Sequence, residues 1–236
     1  MTGPRRRRLF HAINRSVRST PTKISHGPMR GLLFVGGETA GYSLGASEPA
    51  VQRAMEAHLK PGDVFYDIGA NVGFLSLLGA KLVGPKGHVY CFEPLPSITP
   101  LLARNLDQNG FFNYDIIEAA VSDHCGTAYL ATDRGEARAT LTPNTASTIA
   151  VSLVTLDELD LPRAALIKID VEGTETHVLS GMTRVMREQQ PTLIIEIHDG
   201  QRSPVEAILS ETGYRTTLLN DDGMPHLLGQ PQATAP

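Results

Sequence analysis

Acidic residues are absent from the first 37 positions of the chain, where every formal charge is a lysine or an arginine. The remainder is acidic enough to bring the whole to a formal net charge of -4. Such asymmetry invites an anionic partner, yet Arg5 to Arg8 sit beside Gly3 and Pro4 at a terminus, where a solvated tail is the simpler account. No nucleic-acid partner is expected. Cysteine is scarce as well: Cys91 lies in an apolar, strand-like run and Cys125 in a polar turn, which gives neither a disulfide framework nor paired metal-ligand spacing. Both are expected to be free thiols. No apolar run reaches the ~18 to 20 residues needed to cross a bilayer, and the basic start lacks the apolar stretch of an export signal. A cytoplasmic location without a membrane partner follows as the expectation.

Internal repeats are missing too, and 236 residues suit one α/β domain better than two. From about residue 60 onward, short β-rich runs alternate with helix-like periodic stretches, the pattern of repeated βα units. The runs are residues 63–69, 88–93, 114–121, 165–170, 193–197 and 214–219, with a last short strand near 226–228 and an additional one at 149–153. The intervening helices are expected over 71–82, 97–109, 174–188 and 204–209. Residues 122–148 read as irregular, with weak hairpin signals around Ala128 to Ala131. The resulting division is a basic segment 1–44 that is partly disordered or covers the substrate, a catalytic domain 45–229, and a disordered tail 230–236. The apolar Gly31-Leu-Leu-Phe-Val35 segment makes a homodimer conceivable.

In open parallel sheets, ligands bind beyond the carboxyl ends of the strands where strand order reverses, so the residues just after each run carry the information. The first run ends in Asp67-Ile-Gly69-Ala-Asn71-Val-Gly73. There Gly69 is read as permitting close approach to a ligand and Gly73 as letting the helix pack on the sheet. The spacing is not the G-x-G-x-x-G that cradles a pyrophosphate. A carboxylate at Asp67 would repel a pyrophosphate but suits a cationic ligand. Glu93 ends the second run twenty residues after Gly73, where an acid can accept hydrogen bonds from both hydroxyls of a ribose. Together they describe a nucleoside site.

Three blocks, Asp67-Ile-Gly-Ala-Asn-Val-Gly-Phe74, Cys-Phe-Glu93-Pro94 and Lys168-Ile-Asp170-Val-Glu172-Gly173-Thr-Glu175, resemble the hallmarks of the FkbM family of methyltransferases. The likeness covers roughly residues 45 to 200. It implies a class I methyltransferase fold: a Rossmann-like, doubly wound sheet of seven strands, mostly parallel with the last antiparallel. It also implies S-adenosylmethionine as cofactor and O-methylation of a hydroxyl on a sugar, glycan or natural product, so that the partner is a small-molecule or glycan acceptor. Carried over, Asp67, Gly69, Asn71, Gly73 and Phe74 would hold the methionine end, with Glu93 and Pro94 at the ribose. The stretch Ala119-Ala120-Val121-Ser122 would face the base, with Ser122 and Asp123 its polar candidates, and Glu48 resembles the family's acid before its first helix.

Methyl transfer to an alcohol needs an aligned oxygen and a group that takes up its proton. Asp170, with Glu172 close by, is placed for that role, although either can instead cap the helix from Thr174. Glu196 and His198 alternate onto one face of their strand and can meet Asp170 across neighbouring strand ends. The trio Asp170, Glu196 and His198 then offers either a divalent metal site or a histidine base oriented by Glu196. Lys168 needs a partner if buried, His177 reads as surface, and Met182 and Met186 as core. Two rival readings remain: a nicotinamide-dependent oxidoreductase, and a nucleoside-binding pseudoenzyme.

Overall fold

The computed structural model describes residues 20–36, 40–131, 140–142, 148–198, 200–219 and 225–232. The basic stretch Arg5 to Arg8 and the last four residues lie outside these, and so does the structural part of their reading. Strands are β1 (Thr22–Lys23), β2 (Leu33–Phe34), β3 (Val64–Ile68), β4 (His88–Phe92), β5 (Tyr114–Ile117), β6 (Ala120–Val121) and β7 (Gly126–Ala131). They continue with β8 (Thr140–Thr142), β9 (Thr148–Val154), β10 (Leu166–Ile169), β11 (Thr192–Glu196), β12 (Tyr214–Leu219) and β13 (His226–Pro231). Helices are α1 (Ala40–Leu44), α2 (Pro49–His58), α3 (Phe74–Val83), α4 (Thr99–Asp107), α5 (Glu175–Ser180), α6 (Thr183–Gln189) and α7 (Arg202–Glu211).

The main sheet has seven strands in the order β12-β13-β11-β10-β3-β4-β5. Pairings among β11, β10, β3, β4 and β5 are parallel, while β13 runs antiparallel to both its neighbours. This is the doubly wound, mostly parallel arrangement expected, with the last strand reversed. The chain crosses from β3 outward to β4 and β5, then returns to β10 on the other side of β3. Strand order therefore reverses at the β3/β10 boundary, the position that creates a crevice at the carboxyl ends. The central β10 is buried along its whole length, as a sheet covered on both faces requires. One apolar cluster, including Phe65, Leu77, Leu78 and Leu102, fills one face, and a second, including Ile167, Val178, Met182, Met186 and Leu193, fills the other.

Four local expectations are corrected. Residues 122–148 are not simply irregular, because β7 forms a six-residue hairpin strand against β9 and also pairs with β8. Their Thr-rich composition hid the pairing, since most side chains of β9 are at least partly exposed. The expected strand 114–121 breaks after Ile117, and Ala120–Val121 leaves the main sheet to pair with β9 in this second, four-stranded sheet. The helix expected over 174–188 is two helices. At the break, a Cβ on Gly181 would lie 1.9 Å from the Ser122 carbonyl oxygen; Asp157 restarts the helix by accepting the Arg184 and Val185 amide N–H groups, both at 2.9 Å. Finally, the chain stays in β13 through Pro231, and Gln232 donates its N–H to the Gly213 carbonyl, so the ordered domain passes the boundary set at 229. At the other end, Ile24, Met29 and Phe34 pack into the main core cluster, tying residues 22–34 to the domain.

Candidate active site

At the carboxyl end of β3 the chain turns through Gly69, whose φ of 75° favours glycine. A Cβ there would lie only 1.8 Å from the Asp170 carbonyl oxygen. The glycine is needed for close approach of the β10 end, and it also lines the cleft described next. Gly73 likewise serves a different neighbour than expected, since its Cβ would strike the Leu102 side chain of α4 rather than the sheet. Between them Asn71 takes a left-handed φ of 49° and its side-chain oxygen accepts the Val72 N–H at 2.7 Å.

This turn forms one wall of an open cleft. Gly69, Asn71, Glu93, Pro94, Ala120, Val121 and Asp170, all anticipated from sequence, line it together with Leu95, Leu130, Val171, Glu172 and Thr174. Glu93 is nearly buried. Its Oε2 accepts the Asn71 N–H and its Oε1 the Leu95 N–H, each at 2.9 Å. Burial pushes its carboxyl up to about 7, against the pull of those two amides. Because an ionised carboxylate offers about four acceptor positions, one remains on each oxygen for a pair of neighbouring hydroxyls.

Asp67 departs from expectation. Its carboxylate is wholly buried beneath the cleft rather than lining it. Ser76 Oγ donates to Oδ2 at 2.5 Å and Lys168 Nζ lies 3.5 Å from Oδ1. Burial raises its pKa, opposed by Lys168 and Ser76. The acidic lining of the cleft comes instead from Glu93, Asp170 and Glu172. Gly73 and Phe74 also lie outside the lining; Phe74 packs on Tyr42 at 4.7 Å and Phe34 at 5.5 Å between ring centres. Ser122 is buried behind the cleft wall, against the Gly181 turn, and donates to the Asp123 carboxylate at 3.2 Å.

Beside the cleft, Asp170, Glu196 and His198 do converge, with one ligating atom from each within 4.8 Å of the others. Lys168 is the buried cation behind them, 3.2 Å from both Asp170 Oδ2 and the Gly69 carbonyl oxygen. Burial alone would lower its pKa, but Asp170, Asp67, Glu48 and Glu196 outweigh that and hold the ammonium charged. The residue orienting His198 is Glu175, not Glu196: Nδ1 lies 2.6 Å from Glu175 Oε1, while Nε2 lies 3.5 Å from Glu172 and 3.8 Å from Glu196. That hydrogen bond raises His198 to about 8 despite partial burial. Glu175 is fully buried and also accepts the Gly173 N–H at 3.0 Å, so it is fixed from two sides.

Glu48 lies outside the cleft lining and joins this cluster, 3.6 Å from His226 Nε2; Glu196 Oε2 is 3.3 Å from the same nitrogen. Burial would lower the His226 pKa, yet the two carboxylates raise it to about 9. His226 and Glu175 were missed as site residues. The signal for His226 is the antiparallel register that pairs it with Glu196, which no local pattern reveals. Three of the four non-glycine residues with positive φ among those described, Glu48, Asn71 and Glu172, surround this region. Such strain is retained where the surroundings impose it, commonly at functional sites.

Comparison with known proteins places the family and the fold. Residues 67–216 match the model of the methyltransferase FkbM domain. The hexuronic acid methyltransferase AglP of Haloferax volcanii is 29% identical over 182 residues, 74% of each chain. The 31-O-demethyl-FK506 methyltransferase FkbM of Streptomyces tacrolimicus is 28% identical, over 69% of this chain and 76% of that one. In fold, the chain resembles the crystal structure of methyltransferase FkbM from Methylobacillus flagellatus (TM-score 0.56, 18% identity), covering 75% of this chain but only half of that one. It also resembles an S-adenosylmethionine-dependent O-methyltransferase of Thermotoga maritima (TM-score 0.53, 12% identity, covering 80% and 67%). No helix among the described residues is long and apolar enough to cross a membrane. The nicotinamide-dependent reading is therefore set aside, and the chain belongs to the FkbM family of S-adenosylmethionine-dependent methyltransferases.

Proposed function

We propose that the protein methylates a hydroxyl oxygen of a sugar, glycan or related natural product. The observation that carries this is the adjacency of two unlike environments: a cleft with the doubly amide-bound Glu93, and a carboxylate and imidazole cluster around Asp170 at its rim. When bound, S-adenosylmethionine would supply an electrophilic methyl carbon to the acceptor oxygen and would leave as S-adenosylhomocysteine. Glu93 would accept hydrogen bonds from the ribose hydroxyls, and Ala119 to Val121 with Leu130 would offer a small apolar wall to the base. Asp170 and Glu172 give the sulfonium a negative surround. The hydroxyl proton passes to the group formed by Asp170, Glu172, Glu196 and His198, within reach of one another by the distances above.

The names of two relatives support the reading: one names a hexuronic acid as its substrate, the other 31-O-demethyl-FK506, which places the methyl on oxygen in that protein. The test is to incubate the purified chain with S-adenosylmethionine and a panel of uronic acids, neutral sugars and macrolide alcohols. Mass spectrometry should find one methyl gained on oxygen in one of these classes, with matching release of S-adenosylhomocysteine. Methylation at nitrogen, at carbon or at a carboxylate oxygen instead would contradict the reading.

A further inference from the structure

The carboxylate and imidazole cluster has a feature that proton uptake does not require. Each of its three converging members is held from behind by a residue outside the trio. Lys168 Nζ takes Asp170 Oδ2 at 3.2 Å. His226 Nε2 lies 3.3 Å from Glu196 Oε2. Glu175 Oε1 lies 2.6 Å from His198 Nδ1 and is itself anchored by the Gly173 N–H. Outside those contacts are the other Asp170 oxygen, Glu196 Oε1 and His198 Nε2; the last two lie 3.8 Å apart, and Glu172 Oε2 is 3.5 Å from the same nitrogen.

Fixing the far atom of a ligand so that the near atom is presented is how proteins build metal sites, and a buried carboxylate on the second nitrogen of a ligating histidine is the commonest form of it. Two carboxylate oxygens and one imidazole nitrogen suit magnesium, manganese or zinc. Charge points the same way: Glu48, Asp170, Glu172 and Glu196, with Asp67 and Glu175 buried behind them, face one lysine and two imidazoles.

We propose that Asp170, Glu196 and His198 bind one divalent cation at the rim of the cleft, with Glu175, Lys168 and His226 as its positioning residues. A cation there would polarise the acceptor hydroxyl and make it more acidic, and with the trio engaged on the ion the proton would go to Glu172, the member of the group that lines the cleft and is not a ligand. It would also favour acceptors carrying a second oxygen donor next to the reacting one, such as a vicinal diol or a hydroxy acid, because both oxygens could share the ion. Only this consequence rests on the methyltransferase reading; the binding of the ion does not. Glu48, Glu196 and His226 also converge within 4.8 Å. They are the weaker trio because none of them lines the cleft, whereas Asp170 does.

The test uses the full chain stripped with chelator, titrated with manganese and followed by electron paramagnetic resonance of the free ion, with zinc and magnesium by calorimetry. One manganese per chain is expected. His198→Gln should weaken it at least 100-fold, and Glu175→Gln by 10- to 100-fold, as loss of an orienting partner does elsewhere. Circular dichroism on each variant separates lost binding from lost fold. Asp170→Asn provides a second ligand variant if the His198 substitution misfolds. Absence of binding by all three metals, binding indifferent to His198→Gln and Asp170→Asn, or binding abolished by His226→Gln alone would each overturn the assignment. Binding of S-adenosylhomocysteine to the metal-free wild type is measured beside it: binding there without metal uptake defeats this proposal alone, and metal uptake without it defeats the methyltransferase reading alone.

Discussion

Lys168 and Asp67 face each other across the β10/β3 pairing, in register and both buried, with Nζ 3.5 Å from Oδ1. The carboxylate read from the sequence as the charge that attracts the cofactor is thus neutralised inside the sheet. Removing the lysine leaves that carboxylate buried without its countercharge, which costs about 3–5 kcal/mol in comparable cases. Lys168→Met should therefore lower unfolding free energy by that order in urea denaturation. The double variant Asp67→Asn, Lys168→Met should recover much of the loss, and a single variant as stable as wild type would contradict the pairing.

Glu93 gives the protein a pH dependence of definite sign. Its folded pKa of about 7 lies above the ordinary glutamate value of 4.5 because burial disfavours the ionised form. Between those values the unfolded chain has released the proton and the folded one has not, so this group's contribution lowers stability as pH rises through the window and then levels off. Ribose hydroxyls favour the ionised form, so affinity for S-adenosylhomocysteine should rise from about pH 6 to 8 and then level. Calorimetry across that range should show proton release on binding below the midpoint, and Glu93→Gln should flatten the profile.

Gly69 has neither room nor backbone freedom for a side chain. Gly69→Ala must relieve a 1.8 Å contact with the Asp170 carbonyl and hold a left-handed φ, the latter alone worth about 1–2 kcal/mol. The relief must part the ends of β3 and β10. Cofactor affinity is expected to fall at least tenfold, with a lowered melting temperature; unchanged values in both measurements would show that the two strand ends are not so tightly apposed.

The sheet and the cleft were largely legible because their signals are local. Turn glycines follow short apolar runs, and the acids Glu93 and Asp170 stand at the carboxyl ends of β4 and β10, on either side of β3. What stayed hidden depends on contacts distant in sequence. Asp67 looks like a strand-end acid until Lys168, about a hundred positions later, is placed beside it by strand register. Glu196 and His226 meet only because β13 inserts between β11 and β12. Glu175, inside the recognised block, shows no periodicity that would assign it to His198. The β7 strand escaped notice since a Thr-containing, largely part-exposed hairpin carries little alternation to read.

The central claim is that the cleft at the ends of β3 and β4 holds S-adenosylmethionine through Glu93. It is tested most directly by calorimetry with S-adenosylmethionine and S-adenosylhomocysteine on wild type and Glu93→Ala. The account predicts one site per chain for both compounds and an affinity reduced by about 10- to 100-fold in the variant, as expected for losing hydrogen bonds to a charged group. No binding to wild type, or equal affinity in wild type and a folded Glu93→Ala, would contradict it.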